Sequence, residues 1–302
     1  MTYARHELVD DDQTLPRMPA WVTTARSDVP EDVAFLSGAV LSHLHLVLSQ
    51  EDVPQTLLRA RLALRAAEVC VANAGRPERA AELRDAVAFL QPGDSPGPAG
   101  EVYLPWQQVV KRPISVKVLH RAFPDLAPEQ IAVWLDGSDP RGSGQGAPVA
   151  RAAAVLQAVL ADRPRDLGTA LILADAALAQ SLGWSQVVPL LALGAKRPHL
   201  RKRDEELRLA CHRVLVDAVQ ETSQLASDLT RRVARLQEVA PKLPAQGSDD
   251  AVAQFLSRDA LPPMALTSLR SDRAARRFCD RLVELSAVRE LTGRDTFRLY
   301  GV

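Results

Sequence analysis

Apolar positions recur at spacings of three and four along most of the chain, the rhythm of amphipathic helices rather than the alternation of strands. From Glu31 onward, Val33, Leu36, Val40, Leu44 and Val47 share one helical face. Pro54 then opens a helix predicted to run to about Ala74, in which Leu58–Leu62–Ala66–Val69 and Leu57–Ala60–Leu64–Ala67–Val71 are both apolar. A helix that is apolar on most sides belongs in the centre of a bundle. A shorter helix from Pro77 to about Leu90 follows, then short ones around Trp106, at Ser115–Arg121 and at Pro128–Leu135. Pro148 opens another that runs to Ala161. Asp166 caps the next, which ends at Leu182 with Gly183 in the left-handed position that closes many helices.

The longest element predicted runs from Asp204 to Ala240. Leu207, Cys211, Val214, Ala218, Thr222, Leu225, Leu229, Val233 and Leu236 hold the 3.6-residue rhythm throughout. Three acids at its start, Asp204, Glu205 and Glu206, suit the positive end of the helix dipole, and Pro241 stops it. Such a helix spans roughly 50 Å, enough for a spine between domains or a dimer seam.

The breaks between these elements suggest the domain organisation. Residues 1–30 are polar and broken by Pro16, Pro19 and Pro30, and are expected to wrap the surface with Trp21 as an anchor. Residues 31–136 form an N-terminal helical domain. QPGDSPGPAG (91–100) reads as a rigid turn, and GSDPRGSGQGAP (137–148) as a linker and natural boundary. A second helical region with the long helix covers 148–243.

The pattern changes over residues 249–302. Asp250–Ser257 reads as one helix and Ala265–Leu269 as a second, very short one. Ser271 then caps a helix from Asp272 to Leu285 with Ala275, Phe278, Leu282 and Leu285 inward and Arg273, Arg276, Arg277 and Arg281 outward. Val288–Thr292 alternates like a strand, Gly293-Arg294 makes a turn, and Thr296–Tyr300 returns as a second strand. Three helices followed by a β-hairpin is the order of a winged helix. The fold class expected is therefore mainly α: a helical bundle with a long spine helix and a small C-terminal winged helix-turn-helix with a two-stranded wing.

SDRAARRFCDRLVELSAVRELTGRDTFRLYG (271–301) resembles the terminal winged-helix segment of many bacterial proteins, including the one appended to Fic-type proteins. The whole chain resembles an uncharacterised bacterial family, a domain of unknown function, through the middle turn DSPGPAG (94–100) and this ending. That resemblance implies no activity. Two departures stand out: Ser286 occupies the place where such helices usually end in Gly, and Pro262 and Pro263 compress the second helix. The Fic catalytic motif is absent, so nucleotidyl transfer does not carry over.

Composition narrows the function further. Apolar residues make up 47% of the 302 but aromatics only 4%, so Ala, Leu and Val must build the core. Lys+Arg and Asp+Glu are 37 each, so any attraction to a polyanion must be local. Cys70, Cys211 and Cys279 form no closely spaced pair, which suits a reducing compartment better than a zinc site or disulfide framework. Met1–Asp12 is acidic with no signal-peptide core, and no uninterrupted apolar run of about 18 residues stands out, so a cytoplasmic protein without membrane attachment is expected.

The local charge lies at the end of the chain. Residues 267–302 hold eight Arg against five acids, a net of +3. Arg273, Arg276 and Arg277 lie on the N-terminal half of the last helix, the half that enters the major groove in helix-turn-helix proteins. Guanidinium forks there can pair with guanine O6/N7 or with phosphates. Arg294 and Arg298 on the wing are placed for the flanking backbone, and Thr267 and Ser268 can donate to a phosphate. The nucleic-acid-binding residues expected are these seven, and the partner expected is double-stranded DNA. A salt-bridged, solvated face carries the same charges, and winged helices also dock proteins. A protein-interaction scaffold, or a homo-oligomer, is thus the alternative to a regulatory or DNA-maintenance role.

Other candidates are weaker. Lys196–Arg203 (KRPHLRKR) puts five cations in eight residues, either a phosphate grip beside the winged helix or a loop balanced by the acids that follow. His43 and His45, two apart on a helix, point to opposite sides and cannot hold one metal together. His120, His199 and His212 have no cluster around them. Asp175 interrupts the apolar run Leu171–Leu178, and a buried carboxylate there needs an Arg partner or must neutralise. Ser143 between glycines is no nucleophile elbow, and the glycine run lacks the Lys-Ser/Thr ending of a phosphate loop. No catalytic or cofactor motif appears.

Overall fold

The computed structural model describes residues 15–24, 27–91, 93–136, 147–243 and 246–302. Met1–Asp12 and the Gly137–Gly146 stretch with Ser143 lie outside the described residues. Among those described, fourteen α-helices and one two-stranded sheet make a mainly α protein. The helices are α1 (Ala20–Thr24), α2 (Pro30–Leu48), α3 (Gln55–Asn73), α4 (Ala80–Ala88), α5 (Gly97–Val109), α6 (Val116–Ala122) and α7 (Pro128–Asp136). They continue with α8 (Pro148–Asp162), α9 (Leu167–Ser181), α10 (Leu191–Gly194), α11 (Arg197–Leu200), α12 (Asp204–Val239), α13 (Ser248–Ser257) and α14 (Asp272–Glu284). The strands are β1 (Arg289–Glu290) and β2 (Tyr300–Gly301).

The helix α9 runs through the middle and is buried without a break from Thr169 to Ala179. Asp166 caps its start by accepting from the Thr169 amide at 3.2 Å, and Gly183, with φ +72°, closes it. Around it pack α8, α7, α10 and parts of α3 and α5, while α12 runs along α2 and α8. All nine apolar-face positions read for α12 are buried. The stripe that a dimer seam would need is therefore used inside the chain. At 36 residues α12 is about 54 Å long, and it carries the chain from the bundle to the C-terminal module. One continuous hydrophobic cluster reaches from Leu15 to Val302, so the helices on both sides of the 137–148 stretch share a core.

Three local readings change. Gly97–Gly100, which the sequence assigns to a turn, forms the first turn of α5, with Pro98 near its start where a missing N–H costs nothing. A Cβ on Gly100 would lie 2.6 Å from the Pro96 Cβ, so this glycine lets the chain entering α5 pass close over its first turn. Trp21 is not a buried anchor: it is 51% exposed and stacks on Phe35 at 5.7 Å, while Val22 is the buried residue of α1. Finally, α2 is long and apolar enough to cross a membrane by length and composition, although Val33, Leu36, Val40, Leu44 and Val47 are buried within the protein.

Candidate nucleic-acid interface

The C-terminal module is assembled from α13, a single 3₁₀ turn at Pro263–Ala265, α14 and the β1–β2 hairpin. The turn replaces the short helix expected at Ala265–Leu269. Two successive prolines supply no N–H to propagate it, so the chain makes one tight turn and straightens. The strands are also shorter than the alternation suggested. Glu290 accepts from the Thr292 and Gly293 amides, each at 2.8 Å, which turns the chain out of the ladder. Burial opposes ionisation of Glu290, but these bonds and the Thr292 hydroxyl outweigh it and hold its carboxyl below the usual range. Leu261 adds a one-residue antiparallel bridge to Tyr300 and so ties the linker before the turn to the hairpin.

The helix α14 agrees closely with its sequence reading. The Ser271 hydroxyl accepts from the Ala274 amide at 3.2 Å, capping the first turn. Ala275, Phe278, Cys279 and Leu282 are buried. At the far end Ser286 takes the left-handed conformation, φ +55°. Its N–H donates to Val283 and that of Ala287 donates to Leu282, both at 2.9 Å, which is the bonding of a glycine-closed helix made by serine.

The structure separates the seven expected DNA-facing residues into two groups. Arg273, Arg276 and Arg277 are exposed on one side of α14, and among the described residues none has a hydrogen-bond or ion-pair partner. Arg281, one turn on, pairs with Glu284 at 2.8 Å. Thr267 is exposed near the start of this face. The other three are engaged internally. Ser268 donates its hydroxyl to the Gly247 carbonyl at 2.9 Å, so its proton is not available to a phosphate. Arg298 donates to the Arg294 carbonyl at 2.8 Å and lies 3.7 Å from Asp295. Arg294 pairs with Asp85 of α4 at 2.9 Å.

That last pair is part of a larger junction. Phe297 meets Phe89 edge to face at 5.7 Å, so the tip of the hairpin rests on α4. Beneath it Asp259 is buried between Arg61 of α3 and Arg84 of α4; the Arg84 Nε lies 2.7 Å from the carboxylate. Arg61 also donates to the Val302 carbonyl at 3.1 Å. Nothing in the sequence pairs these residues, which are about two hundred positions apart; only the packing of the module against the bundle brings them together.

The remaining candidates resolve structurally. Asp175 is fully buried and has no Arg partner among the described residues: it accepts from the amides of Leu190 (3.1 Å), Leu191 (2.8 Å) and Ala192 (3.2 Å), the start of α10. It is the cap of a helix that is remote in sequence. Burial pushes its carboxyl up to about 7, against the lowering effect of those three bonds. Lys196–Arg203 does not lie beside the module, because it precedes α12, whose far end holds the module through Arg235 and the Leu285 carbonyl. About 48 Å of helix separates the two. His43 is buried and held below its ordinary pKa by desolvation, while His45 faces out. No group of three or more metal-ligating side chains occurs among the described residues. His212, from which the sequence suggested nothing, lies 2.6 Å from the Ser37 hydroxyl through its Nδ1.

An all-helical bundle carrying a small, arginine-faced helix-and-hairpin module at its C-terminus is thus the class defined by the fold and this surface. The chain belongs to the family described as "Protein of unknown function (DUF1403)", whose model matches residues 6–302. No curated protein matches it.

Proposed function

We propose that the protein binds double-stranded DNA through α14, as a regulatory or DNA-maintenance protein. The observation that carries this reading is the open face of Arg273, Arg276 and Arg277: three exposed guanidinium groups without partners among the described residues, on the helix that follows the turn in a winged-helix order. Unpaired arginines in one row keep their field and can engage phosphates or guanine edges. The carboxylates nearby cancel it only in part: Glu284 is taken up by Arg281, while Asp272 and Asp280 on the same helix keep their charge but form no ion pair with the three arginines.

Duplex binding measured across a salt series tests this. Changing Arg273, Arg276 and Arg277 together to Glu is expected to abolish binding. Neutral replacements should flatten the dependence of log K on log salt by about 0.9 for each phosphate no longer engaged. Binding unaffected by the triple change would exclude α14 as the DNA-facing surface.

A second reading is a scaffold whose C-terminal module docks a protein. It is favoured by one observation: the hairpin already rests on protein surface, at Asp85 and Phe89 of its own chain. A protein partner whose binding is abolished by Phe297→Ala, while DNA binding is absent, would select it.

A further inference from the structure

A cavity of about 1210 Å³ opens between residues 15–18, the end of α2, the loop before α3 and the second half of α12. Along α12 its wall is polar but uncharged for about three turns: Gln220, Ser223, Gln224, Ser227 and Thr230 line it. Spacings of three and four make each the neighbour of the next on one helix face.

Three polar groups in this wall have no partner among the described residues. The His43 side chain is 9% exposed and makes no hydrogen bond or ion pair with a described residue. The Gln220 Nε2 and the Ser223 Oγ are buried and equally unpartnered. The three stand close together. Ser37 of early α2 touches His212, and the cavity places His43 and Val47 of late α2 beside Gln220 and Gln224, so the two helices run in the same direction. His43 lies about 9 Å beyond Ser37 and Gln220 about 12 Å beyond His212, which puts imidazole and carboxamide at nearly one level. Ser223 follows Gln220 by one turn. Folded proteins rarely leave buried polar groups unmatched, since each has lost its water without a replacement bond. Gln220 and Ser223 both line the cavity, so a side-chain rotation turns either group to an occupant.

The charges and rings of the wall define what that occupant is. Arg231 pairs with Asp228 and Arg235 with Glu238 at 2.9 Å, and Arg17 is also engaged, so an anion meets no spare cation. No aromatic ring lines the cavity among the described residues, so a nucleobase finds no stacking platform. What remains is neutral: carboxamides, hydroxyls, and an imidazole that desolvation holds below its ordinary pKa, with one N–H to donate and one bare nitrogen to accept. Glu51 and Asp52 line the cavity from the loop and form no ion pair with a described residue, which leaves their oxygens as acceptors. Val47, Val233 and Leu256 add apolar surface. Groups that both donate and accept, a few free carboxylate oxygens and apolar patches match a sugar, whose hydroxyls do both and whose ring carries C–H faces.

From this cavity and its three unmatched groups, we propose a binding site for a neutral sugar, with His43, Gln220 and Ser223 holding ring hydroxyls and Glu51 and Asp52 accepting from others. The volume leaves room for more than one linked ring. The site contains no residue of α14, so its failure and that of the DNA reading are separate.

Calorimetric titration of the full-length protein with trehalose, maltotriose and cellotriose tests it, with adenosine and citrate as the competing chemistries. Saturable binding of at least one of the three sugars to a single site is expected, and none of adenosine or citrate. His43→Leu should weaken that sugar by at least about tenfold. It should leave the melting temperature of the free protein equal or higher, because it removes an unmatched buried polar group. A histidine kept only for packing predicts a lower melting temperature and no change in sugar binding. Should His43→Leu fail to fold, Gln224→Trp on the exposed part of the same wall serves as the second block. Failure of all three sugars to saturate, binding unchanged by both variants, or preference for adenosine or citrate would overturn the proposal.

Discussion

Ser286 holds φ at +55° with the bonding pattern of a glycine-closed helix. A Cβ in that conformation costs about 1 kcal/mol. Ser286→Gly is therefore expected to stabilise the protein by about 0.5–1 kcal/mol in urea denaturation, with part of the gain offset by the freer unfolded chain. Asp175 makes a different prediction. Its folded pKa of about 7 lies above the ordinary 3.8, so its contribution is fully present below pH 4 and is lost as pH rises through 7. Stability should fall over that window by on the order of 4 kcal/mol, and Asp175→Asn should flatten the slope. Asp175→Ala, which orphans three buried amides, should destabilise by about 3 kcal/mol or more near pH 4, and by less as pH rises through 7, since the variant lacks the titrating carboxyl. The sequence marked Asp175 as unusual because a carboxylate interrupts an apolar run. It could not show that the partners were amides fifteen residues on, since that depends on where α10 packs.

At the level of elements, α2, α9, α12 and α14 were legible because each has a long apolar rhythm and a recognisable start or stop. Ser271 and Asp166 are the capping residues their types suggested. The hairpin and the turn before α14 were less legible. Their lengths depend on Glu290 drawing in two amides and on paired prolines, which are local competitions that alternation does not record. The junction of α3, α4 and the C-terminal module is the element-scale interface with most at stake. Asp259 neutralises two largely buried arginines, and removing it leaves both charges uncompensated. Asp259→Ala is expected to cost about 3–5 kcal/mol. Hydrogen exchange should show β2 and α14 exchanging first while α9 stays protected.

For the whole molecule, the 54 Å span of α12 keeps the basic run at one end and the arginine-faced module at the other. The module is fixed to the bundle rather than tethered, so its face has one orientation. The Arg294–Asp85 pair withholds one hairpin cation from any polyanion. Asp85→Ala is therefore expected to tighten duplex binding at low salt and to steepen the salt slope by about 0.9, one added phosphate. An unchanged slope would mean that the hairpin never reaches a DNA backbone.

Helix content, the buried faces, the arginine row and its polarity along α14 followed from residue order alone, because periodicity and capping act over a few positions and need no partner. Which charges stay free did not. Arg273 and Arg294 look equivalent as letters, yet one meets water and the other Asp85. Ser37 and His212, 175 positions apart, carry no mutual signal until α2 lies along α12. Long-range packing decides such pairings, since the free energy of a charge or a hydroxyl depends on what is folded beside it, and that neighbour is set by the whole core.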